Sequence, residues 1–255
     1  MGSAQGSTAT TPAPGLRLGA IFFKYRDFLF PVVLLALAFG TRPRLFLDDA
    51  RYDVGLDWAG VALAAAGQLI RAMTIGLEYI TRGGRNKQVY AKSLVVGGIF
   101  SHCRNPLYLG NILGILGMML IHNGIWMYAI GVPYFALAYA SIIAEEERYL
   151  RGRFGAEYDE YCRRVPRLWV RPAGLIRTLR SAPFQWKRLV AKEYGTTFSG
   201  SSAVLGLLIL ERFRLEAYAG SRTAVIVIAS VWGALLLGYL TARVLKKQGR
   251  LDETN

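Results

Sequence analysis

The 255-residue sequence is poor in the residues that usually announce chemistry. Its two cysteines, Cys103 and Cys162, lie far apart beside basic residues, so it has neither a disulfide framework nor a Cys-x-x-Cys metal pattern. Its two histidines, His102 and His122, fall short of a zinc or di-iron ligand set. A metal-free protein with reduced thiols is therefore expected. Acidic side chains are scarce, 17 against 31 Lys and Arg, and the formal net charge is +14. In a soluble protein that imbalance would point to nucleic acid. No basic stretch here is built as a reading helix or an aromatic platform, so no nucleic-acid partner is expected. The N-terminal residues lack the basic start and apolar core of a signal peptide. Residues 1–15, dominated by Ala, Thr, Ser, Gly and Pro, are expected to form a disordered tail.

Apolar residues are what the chain does have. They make up 53% of it against 19% charged, and they are gathered in long blocks. A spanning helix needs about twenty mostly apolar residues. Six candidates emerge: Phe22–Gly40 with Pro31 inside it, Leu56–Ile80 with Gln68, Arg71 and Glu78, Leu107–Ile121 after Asn105-Pro106, Gly124–Ala144, the short Gly/Ser-rich Thr196–Leu210, and Ala224–Val244. With a cytosolic N-terminus, Arg82, Arg85, Lys87, Lys92 and Arg104, the basic stretch after Ala144, and Lys246, Lys247 and Arg250 all fall on the inner side. The outer loops hold Asp48, Asp49, Asp53 and Asp57 with few arginines, and the bare His122-Asn123 turn. That is the positive-inside pattern, with both termini cytosolic. The expected fold is all-α, a polytopic transmembrane helical bundle of about six spans. Residues 16–172 would form its core, and 173–255 an extension with two further spans.

Only Ile121-His122-Asn123-Gly124 joins the third and fourth spans, which predicts a tight antiparallel hairpin. Its inner ends are the stretch around Ser101–Pro106 and the segment that begins at Glu145. Glu145-Glu146-Glu147 is an odd choice there, because a helix C-terminus is already negative. One account is a solvated helical continuation balanced by Arg148, Arg151 and Arg153. The other is a functional cluster. Beyond it, Gly155 suits a helix C-cap, and Tyr158 and Tyr161 share a face ahead of Arg163 and Arg164. Aromatic rings beside arginines can form an interfacial belt or a pocket for a cationic or aromatic ligand.

Glu146-Glu147-x-x-Leu150-x-x-x-Phe154-Gly155-x-x-Tyr158-x-x-Tyr161-x-x-x-Val165-Pro166 resembles the C-terminal signature of the isoprenylcysteine carboxyl methyltransferase and phospholipid methyltransferase superfamily. Upstream, Arg104-Asn105-Pro106-Leu107-Tyr108-Leu109-Gly110 is similar to the family's Arg-His-Pro-x-Tyr-x-Gly, preceded by a matching lead-in at Leu94–Phe100. The resemblance covers roughly residues 55–172, and Asn105 departs from the His of the eukaryotic carboxyl methyltransferases. It implies S-adenosyl-L-methionine bound in a cytosolic-side cofactor pocket of a multi-pass protein, with a bacterial inner membrane as the expected location. It implies Glu147, Glu146, Arg104 and Tyr158 as catalytic residues. It draws Gly98, Phe100, His102, Asn105, Pro106, Tyr108, Gly110, Glu147, Tyr161 and Arg164 into cofactor binding.

These residue types suit such a ligand. Glu147, or Glu146, can pair its ammonium or ribose hydroxyls, and Arg104 or Arg164 its carboxylate. Tyr108, Tyr158 and Tyr161 can pack on adenine or shelter the methyl group, and Gly98 and Gly110 permit close approach. Gly110 equally forms GxxxG with Gly114, a helix-packing motif, and Pro106 suits a helix start. A carboxylate acceptor needs alignment and exclusion of water. An amine acceptor also needs a base, for which Glu146, Glu147 or Tyr158 could serve.

Arg71 and Glu78, seven residues apart on the second span, could meet a lipid headgroup, pair with each other or snorkel to the interface. The expected partners are a lipid or lipidated substrate and the membrane; the oligomeric state stays open. Two rivals remain: an NADPH-dependent sterol-type reductase, with a similar Tyr161-Cys162-x-x-Val165-Pro166 stretch, and a non-catalytic membrane protein.

Overall fold

The computed structural model describes residues 14–78, 91, 93–181, 183–215 and 222–251. The expected tail over 1–13, the last two residues of the second apolar block, and the loop cations Arg82, Arg85, Lys87 and Lys92 lie outside the described residues. Among the described residues the regular structure is entirely helical. Six long helices, α1 (Pro14–Gly40), α2 (Ala50–Leu77), α3 (Pro106–His122), α4 (Ile125–Phe154), α7 (Trp186–Arg214) and α8 (Arg222–Lys247), match the six apolar blocks. Two short ones, α5 (Ala156–Arg164) and α6 (Leu175–Ser181), lie between α4 and α7. Three helices, α2, α4 and α8, are long and apolar enough to cross a membrane, and α3 is a shorter apolar helix. The other two are more polar. α1 begins at Pro14, inside the stretch expected as tail, and carries Lys24, Arg26 and Asp27; Gly, Ser and Thr dilute α7.

Local chemistry fixes the ends. The Asp49 side chain caps α2 by accepting from the Arg51 amide at 2.8 Å. Pro106 opens α3, where its missing N–H costs nothing, and Asn123 closes it in a left-handed conformation (φ 44°). Gly155 ends α4 at φ 53°, a conformation that favours glycine.

Packing departs from the expected hairpin. The turn at His122–Gly124 is tight, but α3 packs chiefly on α2, and α4 chiefly on α1. Backbone contact without side chains draws α3 to α2: a Cβ at Gly110 would lie 2.6 Å from the Gly67 carbonyl oxygen, and one at Gly60 would lie 2.6 Å from that of Gly117. Gly110 thus packs on Gly67 and Gly117 on Gly60; the Gly114 amide also lies against Gly67, although a Cβ at Gly114 would meet open space. Edge-on aromatic pairs draw α4 to α1, among them Phe30 with Phe135 (5.3 Å) and with Tyr139 (5.2 Å). Pulled opposite ways, α3 and α4 splay around an apolar cavity of about 290 Å³.

The extension is part of the core. α7 packs on α2 and α3 as well as α8. Its Arg188 guanidinium donates to the carbonyls of Ile75 (2.8 Å) and Gly76 (3.0 Å), satisfying the open end of α2.

A bulkier residue at the α2–α3 contact should force the helices apart. Gly67→Val is expected to cost about 1–3 kcal/mol in a detergent unfolding assay, as overpacking does, whereas Gly114→Val should cost almost nothing. Equal effects would refute the assigned contact.

Candidate functional site

The two motif halves meet at one end of the bundle. A strap, residues 165–172, leaves α5 and runs back along residues 102–105. Arg104 N–H donates to the Pro166 carbonyl at 2.9 Å, and Arg171 N–H to that of His102 at 3.0 Å. Asn105 Nδ2 donates to the Arg167 carbonyl at 3.1 Å. The His102 ring is bonded through Nδ1 to the Arg171 carbonyl and through Nε2 to Thr178 Oγ1, each at 2.8 Å. His102 and Asn105 thus hold the strap, and Pro106 is the first residue of α3.

The strap's Arg167 forks onto Glu147, with Nε 3.1 Å from Oε1 and Nη2 3.0 Å from Oε2. Arg104 approaches the same carboxylate at 3.4 Å and donates to Cys162 Sγ. Burial is the largest single influence on the Arg104 charge and opposes it, but Glu147, Cys162 and Tyr158 together outweigh it and raise the pKa. Arg104 Nε is buried without a hydrogen-bond partner among the described residues. Behind this cluster, Tyr158, Tyr161 and Val165 form a small apolar core with Leu150 and Phe154. The Tyr161 hydroxyl donates to the Phe100 carbonyl at 2.7 Å. Burial, reinforced by Glu147, pushes the Tyr158 phenol well above its ordinary range, so it stays protonated at neutral pH. Burial raises the Cys103 thiol to about 11.

The three glutamates part company. All lie in α4, which continues to Phe154. Glu145 pairs with Arg148 at 3.0 Å on the outside, as a solvated helix end would. Glu146 turns towards α1 and α3: Tyr108 Oη donates to its Oε1 at 2.7 Å and accepts from Arg26 Nη1 at 2.7 Å. Glu147 faces the strap. Arg164 is not brought to this cluster; its guanidinium pairs with Glu160 at 3.3 Å on the exposed face of α5. Gly98 adopts φ 53° against Leu77 and Glu78, and Gly110 sits against the Arg71 stem.

Arg71 and Glu78 do not pair with each other. Arg71 makes a bidentate bond to Glu193 of α7, both distances 3.0 Å, and donates to Asn111 Oδ1 at 2.5 Å. Glu78 is the C-cap residue of α2, with its carboxyl against Gly97. Arg26, Arg167 and Glu193 are the site-end residues that sequence reasoning missed. Arg26 lay inside an apolar block, and Glu193 follows a stretch, 161–192, that has no acid at all.

The α3–α4 cavity opens beside the cluster. Ile112, Ile115 and Met119 line it from α3, Val132, Phe135 and Tyr139 from α4, and Arg167 and Leu168 of the strap close it. Arg167 is its single charged lining residue. Among the described residues no three His, Cys, Asp or Glu side chains are grouped to hold a metal ion.

An arginine–glutamate cluster, half-buried at Arg104 and Glu147 and exposed at Arg167, lies beside an apolar groove and is built from the two motif regions that carry the resemblance in the sequence. The chain belongs to the phospholipid methyltransferase family, whose profile matches residues 57–157, from α2 into the first turn of α5. The cobalt-zinc-cadmium resistance protein CzcN of Cupriavidus metallidurans is 33% identical over 175 residues, 68% of this chain and 73% of that protein. The nickel-cobalt-cadmium resistance protein NccN of Alcaligenes xylosoxydans xylosoxydans is 34% identical over 142 residues, 55% of this chain and 60% of that protein. No solved structure matches. The family is one of methyltransferases, and the apolar helices mark an integral membrane protein.

Breaking the buried Arg71–Glu193 pair from one side leaves a charge without its partner. Arg71→Met should destabilise the detergent-solubilised protein by about 3–5 kcal/mol, and Arg71→Met with Glu193→Leu should recover most of it. A double variant no better than the single one would show that the pair is not coupled.

Proposed function

We propose that the protein transfers a methyl group from S-adenosyl-L-methionine to a lipophilic acceptor at the cytosolic membrane face. An isoprenylcysteine-type carboxylate and a phospholipid amine are the acceptor classes. One observation carries the reading: the Arg104–Glu147–Arg167 cluster sits at the mouth of an apolar cavity between two membrane helices. A polar cofactor from the aqueous side and an apolar acceptor from the bilayer can meet only at such a junction.

The residues fit the cofactor. Its amino-acid end is a zwitterion, and the cluster offers both signs. The unsatisfied Arg104 Nε is a donor awaiting an acceptor such as a carboxylate. Glu147 would take the ammonium or the ribose hydroxyls. When bound, the sulfonium supplies an activated methyl group. The chain's own residues align the acceptor, and the strap with the Tyr158–Tyr161 core excludes water. A carboxylate acceptor needs no base, and Arg167 at the cavity mouth would orient it. For an amine acceptor the base falls to Glu146 or Glu147, because Tyr158 holds its proton.

Titration of the purified protein should give S-adenosyl-L-methionine binding and none of NADPH; the reverse would establish the reductase reading, and binding of neither the scaffold reading. Glu147→Gln should weaken cofactor binding at least about tenfold, as loss of a charge-assisted hydrogen bond does. Transfer of a labelled methyl group into membrane lipid and protein fractions identifies the acceptor. Ala136→Trp, which fills the cavity, should raise KM for that acceptor severalfold while leaving cofactor affinity unchanged. An unchanged KM would remove the cavity from the reading.

A further inference from the structure

The stretch from Tyr161 to Lys192 holds nine Lys and Arg and no Asp or Glu. Several of these cations have structural duties. Arg163 and Arg164 pair with Glu160, Arg167 with Glu147, and Arg188 caps α2. Arg177, Arg180 and Lys187 are exposed, and among the described residues no carboxylate forms an ion pair with them. Interleaved with them are large apolar side chains that face outwards: Trp169 is 63% exposed, Ile176 66% and Trp186 68%. Surfaces that meet only water mix charges of both signs and seldom present such side chains together.

The height of this segment on the bundle gives the surface its meaning. Trp186 opens α7 where α2 ends: Gln185 N–H donates to the Gly76 carbonyl at 2.9 Å, next to the Arg188 cap. Lys246, in the last turn of α8, donates to the Ala191 carbonyl at 2.7 Å. Both α2 and α8 are candidate membrane spans, so Trp186 and Lys187 stand where two spans leave the apolar zone. Thr178 ties α6 to His102, just ahead of α3, so Ile176, Arg177 and Arg180 belong to the same end of the bundle. Indole rings favour the headgroup level of a bilayer, and cations just outside it meet lipid phosphates.

We infer that residues 169–181 and 183–187 form a docking surface for anionic phospholipid headgroups, with Trp169, Ile176 and Trp186 seated at the bilayer interface and Arg177, Arg180 and Lys187 on the phosphates. The surface is continuous with the strap. Arg171 and Thr178 hold it to His102, and Arg167 holds it to Glu147. Anionic lipid bound on its outer side therefore secures the cover of the ionic cluster on its inner side.

The test uses the full-length protein with Trp58, Trp126 and Trp232 changed to Phe, which keeps Trp169 and Trp186 as the reporters. It is reconstituted in phosphatidylcholine vesicles containing brominated phosphatidylglycerol or, at equal mole fraction, brominated phosphatidylcholine. The anionic quencher should act about twofold more strongly, and added salt should erase the difference. The triple substitution Arg177→Gln, Arg180→Gln, Lys187→Gln should equalise the two lipids while leaving the neutral quenching in place. Equal quenching by both lipids in the parent protein overturns the inference, as does a preference that salt does not reduce. Quenching by neither lipid places the surface in water and overturns it as well. None of these outcomes depends on methyl transfer.

Discussion

Close backbone contact between α2 and α3 sets the geometry of the rest. Gly60 against Gly117, and Gly67 against Gly110, bring the two helices together without side chains between them. In lipid, where apolar side chains gain little from leaving one hydrocarbon surface for another, this contact is a main source of helix affinity. It aligns Arg71 beneath the first turn of α3 and pulls α3 away from α4. The cavity and the ionic cluster at its mouth both follow from that displacement.

Charge inside the bundle is handled in two different ways. Arg71 and Glu193 neutralise each other through a bidentate bond, and both are almost completely buried. Arg104, Arg167 and Glu147 instead form an unequal set near the aqueous end, two cations to one carboxylate, with one donor unmatched. The first arrangement is closed and structural. The second leaves one donor unmatched, and the Tyr158–Tyr161 core behind it touches the cluster through Cys162, which accepts from Arg104.

The helical architecture was legible because long apolar blocks leave little alternative, and the His122-Asn123 turn made the ends of α3 and α4 neighbours. Pro106 and Gly155 marked helix ends for simple steric reasons. The glutamate run suits either a solvated helix end or a functional cluster; Glu145 fits the first, while Glu146 and Glu147 turn inwards. The splaying of α3 from α4 was not legible, since it depends on which glycines meet across helices: GxxxG spacing marks Gly110 and Gly114, which lie against Gly67, but not Gly117, which meets Gly60. Arg164 and Arg167 lie three residues apart in one basic run, and only the path of the strap separates one that pairs with Glu160 from one that pairs with Glu147. The partner of Arg71 lies 122 residues away, beyond the reach of any local pattern.

That distance has a consequence for how the protein is made. α2 and α3 are made early in synthesis, and Arg71 with them, long before the ribosome reaches Glu193. Until α7 arrives, the guanidinium lacks its carboxylate and has only Asn111 and the Leu107 carbonyl of α3, or water, as partners. The order of synthesis thus makes the arrival of α7 the event that neutralises Arg71, after α1 to α4 have been made and before α8.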